Sequence, residues 1–206
     1  MFRYIATELK EHIPFTTLGT ITGIAILVII VLAKVDATIS QTIFYTLHPL
    51  HVVLSAIATT AMYRKYGSGK VLAAILVGYS GSIGIPTISD AIIPHLGGAL
   101  LNIAIEFEVP FIEKWWLINP AALIGIAIGY WRPTTKFPHT GHVLLSTWAS
   151  LFYLTAFGIA QWIPLLPLIF VFLFLAVWIP CCVSDIVFPL LFARKVAPLE
   201  RITYNH

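Results

Sequence analysis

Two histidines three residues apart, with a serine four residues further on, place an imidazole pair and a hydroxyl on one face of a helix. The chain has this arrangement twice. His48-Pro-Leu-His51-Val-Val-Leu-Ser55 returns 91 residues later as His139-Thr-Gly-His142-Val-Leu-Leu-Ser146, with five of eight positions identical. Each copy is followed by a second block. Ser89-Asp90-Ala-Ile-Ile-Pro94 returns 95 residues later as Ser184-Asp185-Ile-Val-Phe-Pro189. Two matches in the same order and at nearly the same offset point to an internal duplication. Imidazoles on one helix and a carboxylate on another make a nitrogen/oxygen donor set for a transition metal such as Zn, Fe or Mn. The candidate ligands are His48, His51, Asp90, His139, His142 and Asp185, with Ser55, Ser89, Ser146 and Ser184 in support. An imidazole near a span end can also be a plain interfacial residue, and a Ser-Asp pair can cap a restarting helix.

The surroundings of these residues are oily. Of 206 residues, 59% are hydrophobic and 10% charged, and the mean hydropathy is +0.92. Soluble domains carry about 25% charged residues. The deficit points to an all-α integral membrane protein in the lipid bilayer of a cell or inner membrane. A net charge of +3 without a basic stripe excludes nucleic acid as a partner. Cys181 and Cys182 are adjacent and give neither metal spacing nor a disulfide framework. An Asp within hydrocarbon costs about 2.5–3.5 kcal/mol on insertion scales, so Asp90 and Asp185 read as functional.

The elements that must position them are six apolar spans. Residues 1–13 form a polar N-terminal segment. The spans cover about 15–35, 41–63 and 71–93, then a stretch between Trp115 and Trp131, then 139–160 and 164–192. Residues 95–114 form a connection whose Glu106, Glu108 and Glu113 read as a solvated loop. Repeat one is 14–114, repeat two 115–193, and 194–206 is a basic tail. With the Arg64–Lys70 loop in the cytoplasm, ten of the twelve Lys and Arg fall on that side, both termini included. Only Lys34 and Lys114 lie outside.

Three spans per repeat invert the second copy in the membrane, the plan of many secondary transporters. Prolines flank each Asp (Pro86 and Pro94, Pro180 and Pro189), so a broken helix is expected there. Inversion sets His51 and Asp90 toward one side and His142 and Asp185 toward the other. Two separate sites follow unless helices tilt or re-enter.

Gly141-His142-Val-Leu-Leu-Ser146, then about forty residues, then Ser184-Asp185-Ile-Val-Phe-Pro189, resembles the membrane-bound putative metal-dependent hydrolases of the LexA-regulated inner-membrane family. Asp185 and Pro189 match the first Asp and the Pro of that family's Pro-Asp-x-Asp-x-Pro segment, as do Asp90 and Pro94. Val187 and Ile92 stand at its second Asp. The resemblance implies a metal site.

Three functional classes follow. One is a small transporter or channel for a metal ion or proton-coupled solute. Another is an intramembrane metal-dependent hydrolase of a lipid-linked phosphate or ester, with metal-bound water as nucleophile. The third is a non-catalytic subunit that binds haem through His51 and His142. Each admits a homo-oligomer.

Overall fold

The computed structural model describes residues 2–67, 70–133 and 136–193, with the side chains of 2–8, 11, 136–140, 185 and 186 outside that description. The chain is mostly helical. In chain order the helices are α1 (Phe2–Leu32), α2 (Ala37–Tyr66), α3 (Val71–Thr87), α4 (Ile93–Leu100), α5 (Pro110–Glu113), α6 (Trp115–Trp131), α7 (Lys136–Phe157), α8 (Trp162–Cys182) and α9 (Phe188–Leu191). The only strands among the described residues are β1 (Ala104–Ile105) and β2 (Gly158–Ile159), which pair antiparallel. Four segments are long and apolar enough to cross a membrane: His12–Leu32, Ala37–Tyr66, Val71–Leu100 and Trp162–Cys182. Trp115–Trp131 is a shorter apolar helix.

The polarity is distributed as the bilayer demands. Leu32, Leu72, Leu76, Ile124 and Val171 are exposed, whereas His48, His51, Ser55, Asp90, His142 and Ser146 are buried. Such a distribution suits a membrane-spanning bundle, with an apolar rim and polar groups held where protein can pair them. Most hydroxyls are satisfied within their own helix. Thr20 donates to Thr16 O at 2.7 Å, Thr46 to Thr42 O at 2.9 Å and Ser80 to Leu76 O at 2.6 Å.

α2 is the central element and packs most extensively against α7, α6 and α3. It begins at Asp36, whose side chain accepts the Thr38 N–H at 2.7 Å. Hydrogen bonds from Thr38 hold the Asp36 carboxyl below its ordinary range. The helix ends with Arg64 and Lys65 in its last turn, cations at the negative end of the dipole. Small residues let α6 approach closely: a Cβ on Gly125 would sit 2.5 Å from Val53 O, and one on Gly129 2.5 Å from Ile57 O. On the opposite side, Leu27 of α1, Leu151 and Leu154 of α7, and Ile169 and Leu173 of α8 form one apolar cluster. Phe44, Tyr153 and Phe157 meet edge-on or tilted at centroid distances of 4.9–5.7 Å and fix α2 against α7.

The segment around the acidic loop is tied down. Tyr153 Oη accepts the Glu108 N–H at 3.0 Å and lies 3.2 Å from the carbonyls of both Glu106 and Glu108. Burial and the neighbouring Glu113 raise the Glu108 carboxyl above its ordinary range. The expected solvated loop is thus anchored to α7 by one tyrosine. The polar N-terminal residues are helical, since α1 runs unbroken from Phe2 through Pro14. His12 is buried within that helix.

Candidate metal centre

The prolines around Asp90 do not break the helix. They shape it. Between α3 and α4, residues Ile88–Ile92 form a π-helical turn in which the Ile93 N–H bonds to Ile88 O, five residues back. The same turn stands between α8 and α9 at Val183–Val187, where the Phe188 N–H reaches Val183 O. In this register Ser89 O would pair with the N–H of residue 94, and Ser184 O with that of residue 189. Both are prolines and have none. The expected broken helices are therefore continuous rods with one widened turn, each leaving a serine carbonyl without its helical partner.

Hydroxyls from other helices reach these two carbonyls. Ser150 Oγ of α7 lies 3.0 Å from Ser89 O, while also 2.8 Å from its own helix at Ser146 O. Thr59 Oγ1 of α2 donates to Ser184 O at 3.2 Å. Ser146 Oγ lies 3.3 Å from Ser89 Oγ, and Ser55 Oγ 2.9 Å from Ser184 Oγ. Thr59 and Ser150 were not singled out from the sequence. The signal was there: they lie 91 residues apart, one turn beyond Ser55 and Ser146, and extend the repeat by four positions.

A direct consequence can be measured. Ser150→Ala should destabilise the wild-type fold by about 1–3 kcal/mol through the unpaired Ser89 carbonyl. In a Pro94→Ala background, where residue 94 regains an N–H, the same change should be nearly neutral. Unfolding midpoints of the four proteins in detergent complete the cycle. Equal costs in both backgrounds would show that the hydroxyl does not serve that carbonyl.

At the centre of the first π turn lies Asp90. Its carboxylate does not cap a helix; it points across the bundle to α2 and α7. His48 Nδ1 is 2.9 Å and His51 Nδ1 2.7 Å from Asp90 Oδ2. Ser89 Oγ and Ser146 Oγ donate to Asp90 Oδ1 at 2.7 and 2.8 Å. Asp90, Ser89 and Ser146 are wholly buried, as is His48, and His51 is 2% exposed. Phe44 stacks on the His48 ring at 5.5 Å and 22°, which fixes the imidazole plane.

His48, His51 and Asp90 form a buried group that could hold a metal ion. Two imidazole nitrogens and a carboxylate oxygen converge with separations close to those a single ion needs, given bonds of about 2.0–2.2 Å. Such a donor set suits Zn, Fe or Mn and does not by itself choose among them.

The chain matches no family model, no curated protein and no solved structure.

The structure brings together most of the residues the repeat singled out. His48, His51, Asp90, Ser89 and Ser146 share one network, and Ser55 meets Ser184 beside it. His142 of α7 joins through its ring, 5.4 Å from that of His51 and edge-on at 67°. The depth separation expected from inversion does not keep these two histidines apart. The side chains of His139 and Asp185 lie outside the described residues, as does the whole of the 194–206 tail. His95 stands apart, its ring 4.8 Å from that of Phe107.

Proposed function

We propose that the protein is a small integral membrane transporter or channel for a metal ion or a proton-coupled solute, built as six spans in two inverted three-helix repeats. The observation that carries this reading is the reciprocal exchange of hydroxyls. Ser146 and Ser150, from the second half, serve the π turn of the first half; Ser55 and Thr59, from the first, serve that of the second. Each contact has its counterpart at the sequence offset of the repeat. A rocking of one half against the other would change both sets together, as alternating access between inverted repeats requires.

The His48–His51–Asp90 group is the cargo site in this reading, with Zn, Fe and Mn as candidate ions. His142 from the second half lies beside it, so the site is positioned where both halves meet. Near-complete burial favours an occluded transport site over a hydrolase, which must admit a lipid-linked substrate and water to the same atoms. Both termini and ten of the twelve Lys and Arg lie on the cytoplasmic side.

The test is uptake in proteoliposomes holding a metal-sensitive dye, with Zn, Fe(II) and Mn supplied in turn and internal pH followed in parallel. Wild-type vesicles should take up at least one ion. Asp90→Asn should lower the initial rate by about 100-fold or more, the upper range for loss of a group that orients metal ligands. No uptake and no proton movement by folded wild-type protein would end the transport reading.

A further inference from the structure

Two neighbouring helices carry a proline at nearly the same level. α2 and α6 run side by side in one direction, with Val53 against Gly125 and Ile57 against Gly129. That register sets Pro49 of α2 beside Pro120 of α6. Between the helices lies a groove of about 520 Å³, with Tyr45, Pro49 and Val53 on one wall and Trp116, Pro120 and Ile124 on the other. It opens to the outside of the bundle, where Trp116, Pro120 and Ile124 are exposed. Each wall is about 12 Å long at the helical rise of ~1.5 Å per residue.

Both prolines free a carbonyl on this face. A helical proline has no N–H for the carbonyl four residues back. Pro49 leaves Tyr45 O, and Pro120 leaves Trp116 O, without that partner. Both residues line the groove. The adjacent Thr46 does not serve them, because its one hydroxyl hydrogen goes to Thr42 O at 2.9 Å. A freed carbonyl on a face turned toward hydrocarbon calls for a donor from elsewhere.

The mouth of the groove is charged. Tyr45 Oη donates to Glu108 Oε2 at 3.5 Å, and Lys114 Nζ lies 5.5 Å from the centre of the Tyr45 ring. Glu106 and Glu113 act on Glu108 as like charges, and Lys114 as the opposing one. Among the described residues, three carboxylates there face one ammonium. A matching occupant brings hydrogen-bond donors for the carbonyls, a positive group for the carboxylates, an anionic group for Lys114 and an apolar tail for the groove.

We propose that the groove between α2 and α6 is a specific site for a phospholipid with a primary-amine headgroup, phosphatidylethanolamine. Its ammonium has three N–H donors for Tyr45 O and Trp116 O and sits in the field of the carboxylates. Its phosphate meets Lys114, and an acyl chain lies along Pro49, Val53, Pro120 and Ile124. Phosphatidylcholine keeps the positive charge but has no N–H to give. Phosphatidylglycerol has hydroxyl donors, but its net negative charge faces the carboxylates. The site therefore selects on two separate grounds, donor and charge. It rests on a membrane-spanning chain and not on the transport reading, so failure of metal uptake leaves it standing.

The experiment is native mass spectrometry of the delipidated full chain, titrated with phosphatidylethanolamine, phosphatidylcholine and phosphatidylglycerol of identical acyl chains. The wild type should retain about one phosphatidylethanolamine per chain and bind it about tenfold more tightly than either other lipid, the scale of a hydrogen bond from a charged donor. Pro49→Ala with Pro120→Ala returns an N–H to each carbonyl and should remove the preference over phosphatidylcholine. Glu108→Gln should narrow the preference over phosphatidylglycerol. A wild type that binds the three lipids alike overturns the site and leaves ordinary bilayer contact. So does a double proline variant that keeps its full preference over phosphatidylcholine. If that variant does not fold, the wild-type comparison and Glu108→Gln decide, and an unchanged preference over phosphatidylglycerol in Glu108→Gln also overturns the proposal.

Discussion

A chain carrying both His48→Ala and His51→Ala is expected to retain no transition metal after reconstitution and purification, where the wild-type chain should retain one through the His48–His51–Asp90 group. The two Nδ1 atoms are the only nitrogens placed by the described contacts against Asp90 Oδ2, at 2.9 and 2.7 Å. Their removal leaves a single carboxylate oxygen, and one monodentate oxygen does not retain a divalent ion through purification. Affinity should fall by more than ~100-fold, beyond what loss of an orienting partner costs. Elemental analysis after reconstitution with Zn, Fe or Mn reads the result directly: about one ion per chain in the wild type and close to none in the variant. Binding should also release protons from the wild type, because metal replaces hydrogen on nitrogen. Equal metal in both proteins, or none in a reconstituted wild type, would remove the centre from this group.

The largest loss of stability is expected from Asp90→Ala. That carboxylate is the common acceptor for two imidazoles and two hydroxyls, all buried. Alanine strands four donors at once in the buried interior of the bundle. The cost should be roughly 3–5 kcal/mol, the scale for deleting one partner of a buried charged pair. Asp90→Asn should cost less, since the amide keeps one acceptor oxygen and nearly the same shape. Denaturant or thermal unfolding in detergent separates the three proteins. An Asp90→Ala chain as stable as the wild type would mean that the four contacts contribute nothing net. Stability and metal content also answer different questions here. Asp90→Asn should keep most of the fold while transport falls, and Asp90→Ala should lose both.

Much of the architecture was legible in the residues. A chain with so few charges has runs long and apolar enough to cross a membrane, where helices must satisfy their own backbones. The rods fall close to the expected stretches, with ends set by plain signals: Asp36 before α2, Arg64 and Lys65 at its close. The paired His-His-Ser and Ser-Asp blocks also marked the polar centre, because polar residues inside apolar helices need partners and the repeat supplied them twice.

What those partners are was not legible. Proline at 94 and 189 predicts a break, since proline removes a hydrogen bond. The widened π turn moves the loss to the carbonyl five residues earlier, a register that depends on how the helix is held by its neighbours. Thr59 and Ser150 then acquire a role that no local pattern assigns. The meeting of His51 with His142 is likewise a product of helix crossing. An inverted repeat predicts different depths for them, whereas the packing of α2 against α7 brings the rings to 5.4 Å. Periodicity and composition act along a single helix, so the sequence alone determined the class of protein, the helices and the residues that needed partners. Which donor faces which acceptor is set by angles and distances between helices far apart in the chain. That choice, including the two edges of Asp90, was made by the tertiary structure.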